Sequence, residues 1–336
     1  MRDVALSILD LAPVSSKADT AEALRYTTEL ARHAEQWGYR RFWVAEHHNM
    51  PAIASSAPAV LIAHLAAATR QIRIGSGGVM LPNHAPLVVA EQFGTLESLH
   101  PGRIDLGVGR APGTDRHTAL ALRRTMQGLS AEDFPNEFAA LVGMLCGAVD
   151  AVRAVPTPAT PPEFWLLGSS GFSAQLAGQL GLPFSFAHHF SAANTEPALA
   201  IYRSSFRPSQ WLAEPHAMVA VNVVCADTDE HAHYLAKPGW LSFLRLRSGH
   251  PIALPTPDEA ADYEFSAAEQ SFVEQRLIGQ ALGSPSTVSG QLDALLDRTG
   301  ADELMITNQV YELSDRLRSY QLVAELNRQP TGPLVS

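Results

Sequence analysis

The chain has 336 residues, 46% of them hydrophobic, and a formal net charge of −10. That length permits two domains or one large (β/α)8 barrel, and the apolar share is enough for a sizeable core. An acidic balance with no basic stripe argues against nucleic acid as a partner, and two cysteines outside any C-x-x-C pair (Cys146 and Cys225) argue against a disulfide framework or structural zinc. Residues 4–8 then open the chain with a short apolar run that enters a loop at Asp10-Leu-Ala-Pro13, the pattern of a strand. Leu24, Leu30, Ala31 and Ala34 share one helical face and predict a helix over 20–37, stopped at Gly38. Residues 41–45 read as the next strand and deliver Glu46-His47-His48 at its C-terminal end. A helix is expected over 57–69, with Pro58 accommodated in its first turn. Residues 72–80 form a third strand containing Gly75, Gly77 and Gly78, and 86–99 a third helix. His100-Pro-Gly102 turns into a buried strand over 104–108, which runs out at Gly109-Arg110.

The alternation then weakens. Residues 118–124 and 138–149 have helical spacing, and the proline-rich stretch 155–162 reads as a surface crossing. Strand 164–167 ends in Gly168-Ser-Ser-Gly-Phe-Ser173 and is followed by a helix over 174–180, a strand over 183–187 and a helix over 197–206. Residues 218–225 are a strong seventh strand, with a helix from Thr228. Three prolines and little periodicity mark 247–265 as an irregular insertion. Helices over 269–282 and 288–298, an eighth strand over 303–307 and a helix over 313–326 complete the chain. Eight strands alternating with helices predict one closed parallel (β/α)8 TIM barrel spanning 1–336, with the insertion after strand seven. No secretory h-region and no apolar run of roughly 18 residues is present, so a cytoplasmic location without a membrane span is expected.

In such a barrel the site forms where strands end, and the unusual residues gather there. His47 suits a proton or hydrogen-bond donor, or a structural imidazole held by a loop carbonyl. His48 points elsewhere if the strand alternation persists, and Glu46 orients a neighbour, binds substrate or caps a helix. A metal held by these three is disfavoured because adjacent strand residues diverge. Gly77 and Gly78, costly inside a strand, mark either a bulge or close approach of a ligand. Ser169, Ser170, Gly171 and Ser173 open a helix, as a phosphate site or an ordinary N-cap; with Arg110 nearby, phosphate explains them better. Arg123 or Arg124 offers a second cation. The Walker A and dinucleotide glycine patterns and the Gly-x-Ser-x-Gly elbow are all absent, which disfavours a Rossmann domain and a serine hydrolase.

Trp43-Val-Ala-Glu-His-His48, Ile72-Arg-Ile-Gly-Ser-Gly-Gly-Val-Met-Leu-Pro82, Glu91-Gln92, His100-Pro-Gly-Arg103 and Gly107-Val-Gly-Arg-Ala-Pro-Gly-Thr-Asp115 together resemble the bacterial luciferase-like flavin monooxygenases. The single-chain, alkanal-monooxygenase-like branch is the most similar. The resemblance implies reduced FMN supplied by a separate NAD(P)H:flavin reductase, O2 as co-substrate, and oxygenation of a small organic molecule through a C4a-(hydro)peroxyflavin. His47 then matches the catalytic histidine beside the flavin. Gly77-Gly78 match a small pair joined by a cis peptide, and Gly109 stands where luciferase carries a reactive cysteine. Arg110, Ser169, Ser170, Gly171 and Ser173 match cofactor-binding positions. The resemblance also implies a homodimer, while its position after the seventh strand and its prolines make the 247–265 insertion the expected lid. Leu11, Met80, Trp240 and Phe243 are candidate pocket walls, though core packing is the better explanation of each one alone. A deazaflavin-dependent dehydrogenase on the same fold and a non-catalytic flavin-binding protein are the alternatives.

Overall fold

The computed structural model describes residues 1–111, 116–123, 133–147 and 152–327. In chain order the first half contains β1 (Ala5–Asp10), α1 (Thr20–Trp37), β2 (Arg41–Val44), α2 (Pro58–Ala68), β3 (Arg73–Met80), α3 (Pro86–Leu99), β4 (Ile104–Gly109), α4 (Arg116–Arg123) and α5 (Phe134–Leu145). The second half contains β5 (Glu163–Gly168), α6 (Gly171–Leu180), β6 (Phe184–Phe186), α7 (Thr195–Ser205), β7 (Ala217–Cys225) and α8 (Asp229–Arg247). It continues through α9 (Pro257–Ala261), α10 (Ala267–Leu277), β8 (Gln280–Gly283), α11 (Pro285–Thr299), β9 (Glu303–Thr307) and α12 (Leu313–Leu326).

Local chemistry sets many of these limits. Asp19 accepts a hydrogen bond from the Glu22 backbone N–H at 2.7 Å and caps α1, which Gly38 ends in the left-handed region at φ 84°. The strands are apolar on both faces because helices cover them outside and side chains fill the ring inside. Parallel pairing runs β1-β2-β3-β4-β5-β6-β7-β9 and closes from β9 back to β1, an eight-stranded barrel as the alternation predicts.

Two segments depart from expectation in a way that bears on the architecture. The helix expected over 269–282 ends at Leu277, and Gln280–Gly283 is a strand outside the ring, paired in parallel with Asn222–Cys225 of β7. The end of β7 beyond its pairing with β9 supplies open backbone groups, and four residues satisfy them after buried Gly279 breaks the helix. The segment 247–265 is also less irregular than its prolines suggest. The helix α8 runs through Arg247, α9 carries a Thr256/Glu259 capping box, and buried Leu254 bridges to Ser15.

The barrel interior is filled from its N-terminal end upward. At the N-terminal ends of the strands, fully buried Arg41 donates to Asp105 at 2.8 Å, Glu303 at 2.9 Å and Glu163 at 3.2 Å. Trp43 and Trp165 donate their indole N–H groups to Asp105 and Glu163, so the same carboxylates are shared. Above this charged layer the two indoles meet edge to face at 5.3 Å among Leu9, Met218, Ala220 and Met305. The interior is therefore solid at its base, which leaves the C-terminal mouth as the open end.

Candidate active site

The mouth collects what the strand ends deliver. His47 follows β2 by three residues. Its backbone N–H donates to the Ser55 carbonyl at 3.0 Å, and Ser55 Oγ donates back to the Ala45 carbonyl at 2.5 Å. This pins the loop and leaves the His47 imidazole half-buried at the mouth. Glu46 points the other way. Its buried carboxylate accepts from the Met80 N–H at 2.9 Å and contacts His84 Nε2 at 2.8 Å and His48 Nε2 at 2.9 Å. Burial opposes ionisation of Glu46, yet the histidine contacts and the Met80 N–H hold its pKa below the ordinary glutamate value. Glu46 thus orients neighbours, and His48 serves structure. Among the described residues no group of three or more His, Cys, Asp or Glu side chains is arranged to hold a metal ion.

The Gly77–Gly78 peptide is cis, and the β3–β4 register slips between Gly77 and Val79. A Cβ on Gly77 would lie 2.7 Å from Leu9 Cδ1, and one on Gly78 would lie 2.7 Å from the Gly107 carbonyl oxygen. The Gly107 backbone therefore requires glycine at 78, Leu9 and Trp43 crowd position 77, and a bulge is present. Gly109, the last residue of β4, faces Met80, whose sulfur would lie 3.1 Å from an added Cβ.

Arg110 comes next, and its guanidinium lies over the Phe172 ring at 4.3 Å. Phe172 sits in the first turn of α6, which begins at Gly171, three residues before the expected start. Ser170 is the N-cap residue but makes no side-chain capping bond, and no acidic residue occupies the first turn. Ser169 and Ser170 are exposed and Ser173 is buried. An added Cβ on Gly168 would come within 2.5 Å of Ser173 Cβ, so glycine there lets the helix start hard against the strand end. The structure thus brings Arg110, Ser169, Ser170, Gly171 and Ser173 together around uncapped backbone N–H groups, and no carboxylate pairs with Arg110 among the described residues. A cation beside an uncapped helix N-terminus suits an oxyanion. Residues 112–115, Arg124 and the side chain of Arg123 lie outside the described residues.

Of the four candidate wall residues, Leu11 packs against the interior cluster and Met80 beside Gly109, whereas on α8 Trp240 meets Gln280 of β8 and Phe243 packs against Arg276 and Phe272 of α10. Three further histidines lie near the strand ends and are not among the candidates singled out from the sequence. His84 meets Glu46 across 38 positions and has no local signal. His188 and His189 directly follow β6, so the strand-end rule reaches them. His188 Nδ1 lies 2.7 Å from Thr195 Oγ1, and His189 Nδ1 lies 3.0 Å from the Ala220 carbonyl. Burial, assisted by Arg298, pulls His188 down to about 4; burial, assisted by Arg276, His188 and His47, does the same for His189. Below about pH 6.5 the unfolded chain takes up protons that these folded imidazoles refuse, so stability present at neutral pH is lost as the pH falls toward 4. Buried His188 alone accounts for on the order of 3 kcal/mol of that loss by pH 4. Thermal melts over this range should show a steep fall that flattens in His188→Gln; an unchanged slope would remove the assignment.

The description "luciferase-like monooxygenase" belongs to the family model that matches residues 4–303. An Escherichia coli (strain K12) protein described as a luciferase-like monooxygenase is 46% identical, covering 98% of this chain and 99% of its own length. The N-acetyl-S-alkylcysteine monooxygenase of Bacillus subtilis (strain 168) is 33% identical, covering 96% and 98%. The crystal structure of apo-MsnO8 superposes with a TM-score of 0.87 at 37% identity, covering 96% of this chain and 98% of that one. Likeness of fold alone, below 20% identity, extends to an FMN complex of a Pseudomonas putida 3,6-diketocamphane monooxygenase and to an F420-dependent secondary alcohol dehydrogenase. With its barrel, its strand-end residues and a match over nearly the whole length, the chain belongs to the luciferase-like monooxygenase family.

Proposed function

We propose that the protein is an FMN-dependent monooxygenase that receives reduced FMN from a separate NAD(P)H:flavin reductase and oxygenates a small organic substrate with O2. The observation that carries this reading is Arg110, stacked on Phe172 beside the uncapped first turn of α6. Those residues fit the phosphate end of FMN. Arg110 supplies charge, the N–H groups of Gly171 to Ser173 donate along the helix axis, and Ser169, Ser170 and Ser173 supply hydroxyls. Gly77, Gly78 and Gly109 lie near the ends of β3 and β4, on the side where the ring system of FMN would be held. Reduced FMN, when bound, supplies the activation of O2. The protein's own work is to hold the ligand, keep water out and move a proton, and His47 is the group placed for the last of these. The family name of the relatives and the FMN in one fold neighbour support the reading. Arrival of FMN from a reductase and a homodimer in solution are parts of the same proposal.

Titration with FMN, FMNH2 and a deazaflavin, followed by oxygen uptake against a panel of aldehydes, thioethers and aromatic compounds, tests it. The expected result is FMN binding and substrate-dependent oxygen uptake with FMNH2 only. Turnover with the deazaflavin and none with FMNH2 would replace the oxygenase by a hydride-transferring dehydrogenase. Arg110→Met should weaken FMN binding by about 10- to 100-fold, the worth of a charge-assisted contact to phosphate, while riboflavin binding stays unchanged. Equal losses for the two ligands would place Arg110 away from the phosphate.

A further inference from the structure

The loop after β1 is the middle one of three segments tied together at the mouth. Asp10, the last residue of β1, accepts from the Ala12 N–H at 3.1 Å and from Thr27 Oγ1 at 2.6 Å, and it pairs with Arg316. That turn holds buried Ala12 in the left-handed region at φ 49°, which a residue with a side chain adopts only when its surroundings fix it. On one side the Ala54 N–H donates to the Ala12 carbonyl and the Val14 N–H to the Ala52 carbonyl, both at 2.9 Å, so that Pro13 and Ile53 form an antiparallel bridge. On the other side the Leu254 N–H donates to the Val14 carbonyl at 2.9 Å and the Ser16 N–H to the Leu254 carbonyl at 2.8 Å, a parallel bridge of Ser15 with Leu254. Ser15 Oγ also donates to the Tyr311 carbonyl, in the loop after β9, at 3.1 Å. Leu254 is buried although it lies in the connection between α8 and α9. Residues 52–54 lead directly into Ser55, whose carbonyl accepts from the His47 N–H. Backbone hydrogen bonds thus run without a break from Leu254, through residues 12–16, to the loop that carries His47.

We propose that Leu254 is a positioning residue for His47, and that the segment 250–256 works as a strap on the His47 loop and not as a free-swinging lid. Residues 48–54 are exposed or half-buried, so burial alone does not fix this loop, and its bonds to Ala12 and Val14 supply the outer restraint. The middle segment has little room to yield, because Asp10 holds it at one end and Tyr311 along its length. A loop that wanders keeps the imidazole in its working place for only part of the time, and a misplacement of about 1 Å costs on the order of 10²-fold in rate. The barrel does not depend on the strap, since β1 pairs with β2 and β9 along its own length. Loosening the strap therefore alters the mouth and leaves the ring of strands standing. Its catalytic meaning rests on the oxygenase reading above, whereas the hold on the loop is measured without turnover.

The test compares Leu254→Ala with the wild-type protein, both full length. Hydrogen exchange resolved to single amides should speed up about tenfold or more at Val14, His47 and Ala54, with exchange in β4 and β9 unchanged. The kcat of FMNH2-dependent oxygenation should fall about tenfold, with substrate KM and FMN affinity within about twofold of wild type. In a His47→Ala background the same substitution should cost less than about twofold, because a residue that acts through His47 has nothing left to act on. Leu254→Met, which refills the buried space, should restore both exchange and kcat. Ser15→Ala removes one side-chain bond from the same strap and should show a smaller effect of the same kind, which keeps the comparison open if Leu254→Ala does not fold. An equal loss in kcat with and without His47 would overturn the proposal. So would unchanged exchange at His47 and Ala54, or exchange that rises equally throughout the barrel. Absence of FMNH2-dependent oxygen uptake in the wild-type protein would instead remove the oxygenase reading, and exchange would still decide whether the strap holds the loop.

Discussion

His47→Ala is expected to reduce FMNH2-dependent oxygenation by about 10²- to 10⁴-fold, the usual worth of a positioned proton donor, with FMN affinity unchanged. The expectation rests on how firmly the residue is held. Ser55 binds the backbone on both sides of Glu46, so the loop that carries His47 is pinned at the strand end. Glu46 is engaged with His48, His84 and Met80, and is not available to replace the lost group. His189 is too weakly basic to substitute, since burial and its cationic neighbours hold it near 4. His47→Gln separates two roles, because glutamine keeps a hydrogen-bond donor but carries no transferable proton. Recovery in Gln would point to polarisation; equal losses in Ala and Gln would point to proton transfer. Wild-type oxygenation in His47→Ala would remove the catalytic assignment altogether.

Arg41→Met should destabilise the fold by about 3–5 kcal/mol without touching the mouth. Arg41 is fully buried and is the common partner of Asp105, Glu163 and Glu303, with the Trp165 ring 4.7 Å from its guanidinium carbon. Burial disfavours its charge, but the three carboxylates more than compensate and raise its pKa. Removing it strands negative charge inside the barrel, where only Arg73 still reaches Asp105 and Glu163. Denaturant midpoints would register the loss. Combining Arg41→Met with Asp105→Asn and Glu303→Gln should recover part of it, because the penalty comes from unpaired charge and not from lost packing. A shift below about 1 kcal/mol in the single variant would show that the cluster contributes little.

The fold was largely legible wherever a local signal coincided with a tertiary one. The helix Thr20–Trp37 has a capping aspartate, a left-handed glycine and one apolar face, and its limits match the sequence reading. The strand Glu303–Thr307 is equally direct. Gln280–Gly283 was not legible, because four residues following an amphipathic helix carry no pattern of their own; the exposed end of β7 makes them a strand. The site divides in the same way. His47, the glycines of β3, Arg110 and the serines before α6 stand out by position at strand ends. Glu46–His84 does not, since it depends on two loops meeting.

The strand outside the ring, β8, has a further consequence for how this architecture can change. Along β7, Met218–Asn222 close the hoop against β9, and only Asn222–Cys225 hold β8. The hoop is complete without the excursion between α8 and α11, which hangs on the rim like a detachable bracket. Such a bracket can be lengthened, shortened or exchanged as one piece while the staves of the barrel keep their register.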